Sequence, residues 1–138
     1  INPFSGCVPL LIQIPILIAV YQAFLAGFKP ESLSMLYGFV ANPGVIAKIA
    51  FGFLDITAKN SFLAVIAGVS QFIQAKLSFS SQSPANPTAA AMNTQMLYIF
   101  PVMVVFITWT LPAGLGLYWV TATLFSIAEQ LFIKRRYA

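Results

Sequence analysis

The chain has 138 residues and a mass of 15.0 kDa, enough for one domain. Of these residues 59% are hydrophobic and only 7% charged, where a soluble domain carries about 25% charge, and mean hydropathy is +0.88; a polytopic membrane protein is expected, because so few charges cannot cover a soluble surface. The net charge of +4 is small and scattered, which argues against specific nucleic-acid binding; with no His and a lone Cys7, an internal disulfide, a standard zinc or di-metal cage and His-dependent triads are excluded.

In chain order, Ile1 opens on Asn2-Pro3 with no basic n-region, so no signal peptide is visible and the chain reads as part of something longer. The first apolar stretch, residues 7–28, carries no charge and is roughly 33 Å long as a helix, enough for hydrocarbon of about 30 Å. The outer segment, 29–60, holds Lys29, Glu31, Lys48, Asp55 and Lys59. Its Asn42-Pro43-Gly44 is a turn signal, and the apolar pieces 33–40 and 45–54 read as short interfacial or re-entrant helices. A second stretch, 61–77, is roughly 26 Å long and ends on Lys76; a third, 96–111, is roughly 24 Å, with 92–95 as an extension; a fourth, 114–133, is roughly 30 Å. Residues 78–95 form a loop whose Ser/Pro-rich start is flexible and aqueous. Leu111-Pro112-Ala113-Gly114 is a nearly apolar turn, which predicts a tight hairpin of the last two spans. Residues 134–138 are a basic tail containing Lys134-Arg135-Arg136.

Four spans put both ends on one side of the membrane. Lys and Arg are almost evenly divided between the sides, so the clustered tail decides: the start, the 78–95 loop and the tail are placed in the cytosol.

The spans are more than anchors. Gln13 lies deep in the first, between Pro9 and Pro15, and reads either as an interhelical hydrogen bond or as a contact to substrate; Gln22 is near its outer end. Ala67, Gln71, Gln74 and Ser78 recur at i, i+4, i+7, i+11, one small and polar helix face. In lipid such a face must meet protein or water, so it is either packing glue or the wall of a wet cavity. On the fourth span Trp119, Thr123, Ser126 and Gln130 share one face, and Tyr118, Thr121, Phe125 and Glu129 a neighbouring one. Glu129, close to the basic tail, reads as a partner of that cluster at the cytosolic rim.

Several strings are similar to one family. Asn2-Pro3-Phe4-Ser5-Gly6-Cys7-Val8-Pro9-Leu10-Leu11-Ile12-Gln13-Ile14-Pro15 closely resembles the opening of a core span in the YidC family of membrane protein insertases, which has mitochondrial and chloroplast relatives. Phe53-Leu54-Asp55-Ile56-Thr57 resembles the family's outer motif, and Phe72-Ile73-Gln74-Ala75-Lys76-Leu77-Ser78 the end of the following span. Met96 to Pro101, then Leu111-Pro112-Ala113-Gly114-Leu115-Gly116-Leu117-Tyr118-Trp119-Val120, resembles the last hairpin. The likeness covers nearly the whole chain, in order.

The resemblance implies an all-α integral membrane protein forming a single insertase domain over 1–138, with four transmembrane helices of a five-span core. The first core span, its groove Arg and the cytosolic hairpin after it have no counterpart here; the only arginines are Arg135 and Arg136. It further implies a non-enzymatic function, with no cofactor: polar flanks of nascent membrane proteins pass through a hydrophilic groove and their spans are released into lipid. Gln71 and Gln74, with Gln13, would line the groove; Pro9, Ile14, Pro15, Tyr118 and Trp119 would line the substrate path. The ribosome and the Sec translocon are partners it offers for the loop and tail. A bacterial plasma membrane is the expected location, with thylakoid and inner mitochondrial membranes as alternatives. A small oligomeric channel and a structural membrane subunit are the competing readings of the same polar stripes.

Overall fold

A computed structural model describes residues 8–80 and 84–137, with side chains described over 12–80 and 84–136. The chain divides into two compact units, residues 1–50 and 51–138.

The first unit is built on α1 (Val8–Gly27), a 20-residue helix that keeps Pro15 inside it. Ile12, Ile14, Ile16 and Ile18 are all at least half exposed, an apolar surface that water would penalise and lipid would not. After it comes a single 3₁₀ stretch, Pro30–Met35, opened by its proline and stitched by Ser32 Oγ donating to Lys29 O at 2.6 Å and Ser34 Oγ to Glu31 O at 2.6 Å. The turn at 42–44 is an Asx turn: Gly44 N–H donates to Asn42 Oδ1 at 2.9 Å, and Gly44 sits at φ +74. Strand β1 (Ile49–Ala50) ends the unit.

The expected helix over 45–54 is therefore absent. Val45 N–H bonds to Pro43 O, β1 is extended, and Phe51 and Gly52 take positive φ of 55 and 81, which no right-handed helix admits. The expected helix over 33–40 is reduced to the 3₁₀ stretch ending at Met35.

The second unit opens with strand β2 (Leu54–Asp55) and holds three helices. They are α2 (Ser61–Phe79), α3 (Pro87–Thr110) and α4 (Ala113–Tyr137). Asn60 Oδ1 accepts the Leu63 N–H at 2.9 Å and Asn86 Oδ1 the Ala89 N–H at 2.8 Å, so α2 and α3 each start on an Asx N-cap, with Pro87 at the first turn of α3. Helix α3 thus begins well before the expected 96 and absorbs the second half of the expected 78–95 loop. Helix α4 runs past 133 and takes Lys134, Arg135 and Arg136 into its last turns.

All three helices are long and apolar enough to cross a membrane, and Ile12–Gly27 of α1 is a further apolar helix. The chain is a multi-pass, all-α membrane protein.

Helix α2 is the centre of this unit. It packs along both α3 and α4, which touch little beyond their own connection. The 111–114 turn is tight as expected, but the two helices it joins are not a packed hairpin. The small face of α2 explains this: Ala64, Ala67, Gly68, Ser70 and Ala75 are all buried and admit neighbouring helices closely. A Cβ on Gly68 would meet Val105 Cγ2 and stand 3.1 Å from Pro101 O. The core gathers Ala67, Val104 and Val120, with Leu63, Ile66, Phe100 and Trp119 packed around them.

Candidate functional site between two helices

The polar stripe of α2 faces the polar stripe of α4. Trp119 Nε1 donates to Gln71 Oε1 at 3.2 Å, and Gln71 Nε2 donates to Gln74 Oε1 at 3.1 Å. An indole can only donate, so it fixes which end of the Gln71 amide faces it. That in turn orients the Gln74 amide, whose oxygen accepts from Gln71. One turn further, Gln130 Nε2 donates to Ser78 Oγ at 3.0 Å. At the far end Lys134 Nζ donates to Ser80 Oγ at 3.1 Å and to Leu77 O at 3.3 Å, a cation on the C-terminal end of α2. Lys134 is thereby directed to α2.

Between these contacts the helices leave a cavity of about 240 Å³, open on one side and lined by Gln74, Tyr118, Trp119, Ala122, Thr123 and Ser126. Gln74, Trp119 and Ser126 are half-buried, and Tyr118 is 74% exposed at the lip. Thr123, only 5% exposed, returns its hydroxyl to Trp119 O at 2.8 Å. By helical rise Gln74 lies about 20 Å from the start of α2 and Trp119 about 9 Å from that of α4, both within the apolar length of their helices. No buried side-chain polar atom is left without a partner among the described residues.

Of the residues singled out in the sequence, Gln74, Tyr118 and Trp119 come together at this cavity. Gln71 is not one of its lining residues; it holds Trp119 from behind. Gln13, Ile14 and Pro15 are exposed on α1 in the first unit, and the Pro9 side chain lies outside the described residues. Lys134 reads from the sequence only as part of the basic tail near Glu129, although it extends the series Trp119, Thr123, Ser126, Gln130 by four more positions and reaches α2. The segment 55–58 carries a recognised motif, but the bonds its carbonyls accept from Ala113 and Gly114 run through the backbone and leave no side-chain signal.

A family model described as the 60Kd inner membrane protein matches residues 1–138. The chain is 32% identical to the membrane protein insertase YidC of Fusobacterium nucleatum, over 99% of this chain and 56% of that protein. It is 35% identical to the membrane protein insertase MisCA of Bacillus subtilis, over 97% of this chain and 44% of that protein. With the YidC of Francisella tularensis subsp. novicida it shares 37% identity, over 99% of this chain and 21% of that protein. The chain thus spans between about a fifth and just over half of the length of these relatives.

Proposed function

The chain belongs to the 60Kd inner membrane protein family, and from that membership we propose that it carries the span-inserting part of a membrane protein insertase in a bacterial inner membrane. The observation that carries this reading is the open cavity between α2 and α4, apolar for the most part with Gln74 and Ser126 among its lining residues, set within the apolar length of both helices. An insertase breaks no covalent bond. Its task is to lower the cost of bringing a polar flank into hydrocarbon, several kcal/mol for each unsatisfied group. Gln74 and Ser126 offer polar groups part-way across. The rings of Tyr118 and Trp119 give a flat apolar surface that accepts many sequences. The client's apolar span leaves along the greasy exterior while its flank pauses in the cavity.

In this reading the clients are nascent membrane proteins. The 80–86 connection and the basic end of α4 face the cytosol, where the ribosome or the Sec translocon would meet them. On α1, taken by itself, Gln13 is proposed as a groove residue and Pro9, Ile14 and Pro15 as substrate-path residues.

One observation favours a second reading for Gln71 alone. It spends both ends of its amide on Trp119 and Gln74, which is what a packing residue does. Insertion assays separate the two. Protein reconstituted in liposomes should speed integration of a small single-span client with a charged flank. Normal folding without any such acceleration would favour a structural subunit, and ion flux without insertion a channel.

A further inference from the structure

Helix α4 carries the rings of the proposed path, yet it has no cap of its own. It starts Pro112-Ala113-Gly114-Leu115, without a Ser, Thr, Asp or Asn to accept its first N–H groups. Such groups at the mouth of a membrane span need partners. They find them outside the helix: Ala113 N–H donates to Ala58 O at 2.7 Å and Gly114 N–H to Ile56 O at 2.8 Å. These carbonyls belong to the segment that leads into α2, which is itself capped by Asn60. One strap, residues 55–60, therefore holds the outer ends of both helices.

The strap is shaped by one carboxylate. Asp55 Oδ1 accepts the Thr57 hydroxyl at 2.6 Å, the Thr57 N–H at 2.9 Å and the Ala58 N–H at 3.3 Å. With those donors turned inward, the Ile56 and Ala58 carbonyls are free to reach α4. Leu111, Pro112 and Ala113 are buried where the turn seats, so the seat is packed as well as bonded. From Ala113 to Trp119 is about 9 Å of continuous helix. A shift at the seat is carried as a rigid displacement to Tyr118 and Trp119.

We propose that Asp55 is a positioning residue: it forms the external cap of α4 and thereby sets where Tyr118 and Trp119 stand against α2. This rests on the insertase reading for its consequence, but the placement of α4 can be measured separately. The Gly116 Cβ position is 3.6 Å from Leu63 Cγ, so cysteines at these two positions report the outer α2–α4 spacing. The inner end, where Gln130 Nε2 donates to Ser78 Oγ at 3.0 Å across the same two helices, is reported by cysteines at Ser78 and Gln130 joined by a short bifunctional thiol reagent, which spans the length the glutamine side chain leaves.

The experiment compares cross-linking, by oxidant at 63/116 and by the bifunctional reagent at 78/130, and insertion of a charged-flank client by the protein without the cysteine pairs, in wild type, Asp55→Ala and Asp55→Asn, using the full-length protein in membranes. Asp55→Ala should slow cross-linking at 63/116 several-fold, leave 78/130 unchanged and lower insertion. Asp55→Asn keeps an acceptor oxygen at the same place and should restore both. Unchanged 63/116 cross-linking in Asp55→Ala would overturn the proposal, as would equal loss at both pairs, which marks general unfolding. If cross-linking follows the expected pattern while even the wild type inserts nothing, the strap stands and the insertase reading falls.

Discussion

The Trp119 indole is held by the Gln71 side chain, 3.2 Å from nitrogen to oxygen, and the same amide passes a hydrogen bond on to Gln74. The largest ring at the cavity therefore has a fixed position, set by a residue that does not itself line the cavity.

This relay has a measurable coupling. Trp119→Phe strands the Gln71 oxygen, Gln71→Leu strands the indole, and the double variant strands neither. A double-mutant cycle on unfolding in detergent should give a coupling of about 0.6 kcal/mol, with about 2 kcal/mol as the upper range for such bonds in membrane helices. Strictly additive effects would mean that the bond does not hold the ring.

Gln74 should behave differently from Gln71. Gln74→Leu removes a polar group from the cavity and should slow clients with charged flanks about two- to tenfold, the rate equivalent of about 0.4–1.4 kcal/mol, while sparing apolar ones. Gln71→Leu should lower stability and affect both kinds of client alike. Rates of insertion into liposomes for the two client types decide this, and equal effects of both substitutions would argue against separate roles.

Gly68 sets how closely α2 and α3 approach. Gly68→Ala drives a methyl into Val105 Cγ2 and against Pro101 O, and should cost about 1–3 kcal/mol in detergent unfolding. Val105→Ala in the same chain should recover part of that, because the Pro101 carbonyl, at 3.1 Å, remains. A neutral Gly68→Ala would show that the helices stand further apart than described.

The side assignment predicts opposite labelling. Cysteine at Asn42 should react with an impermeant thiol reagent from outside the cell, and cysteine at Ala85 only from the cytosol. Both positions are exposed. Labelling of both from one face would refute four spans.

How far this was legible in the sequence follows from what each feature rests on. Apolar length and helical spacing are local properties, so the helices and the stripes at 67, 71, 74, 78 and at 119, 123, 126, 130 could be read directly. The start of α3 could not: the Ser/Pro run looked like open loop, but Asn86 followed by Pro87 is an N-cap and first-turn pair, and the helix takes Ala89, Ala90 and Ala91 with it. The central place of α2 depends on Gly68 and the small residues beside it finding partners far along the chain. The strap at 55–58 acts through backbone carbonyls, which every residue has. In the outer segment, apolar composition suggested helices, and the positive φ at Phe51 and Gly52 decided otherwise.

The central claim, that the cavity between α2 and α4 receives the polar flank of a client, is tested most directly by a photo-crosslinker at Ser126. This residue lines the cavity and makes no bond in the Trp119–Gln71–Gln74 relay, so replacing it leaves the rings in place. With a single-span client arrested during insertion, the probe should capture the client's hydrophilic flank, and capture should fall once the client is released into lipid. Capture of lipid alone throughout active insertion would contradict the account.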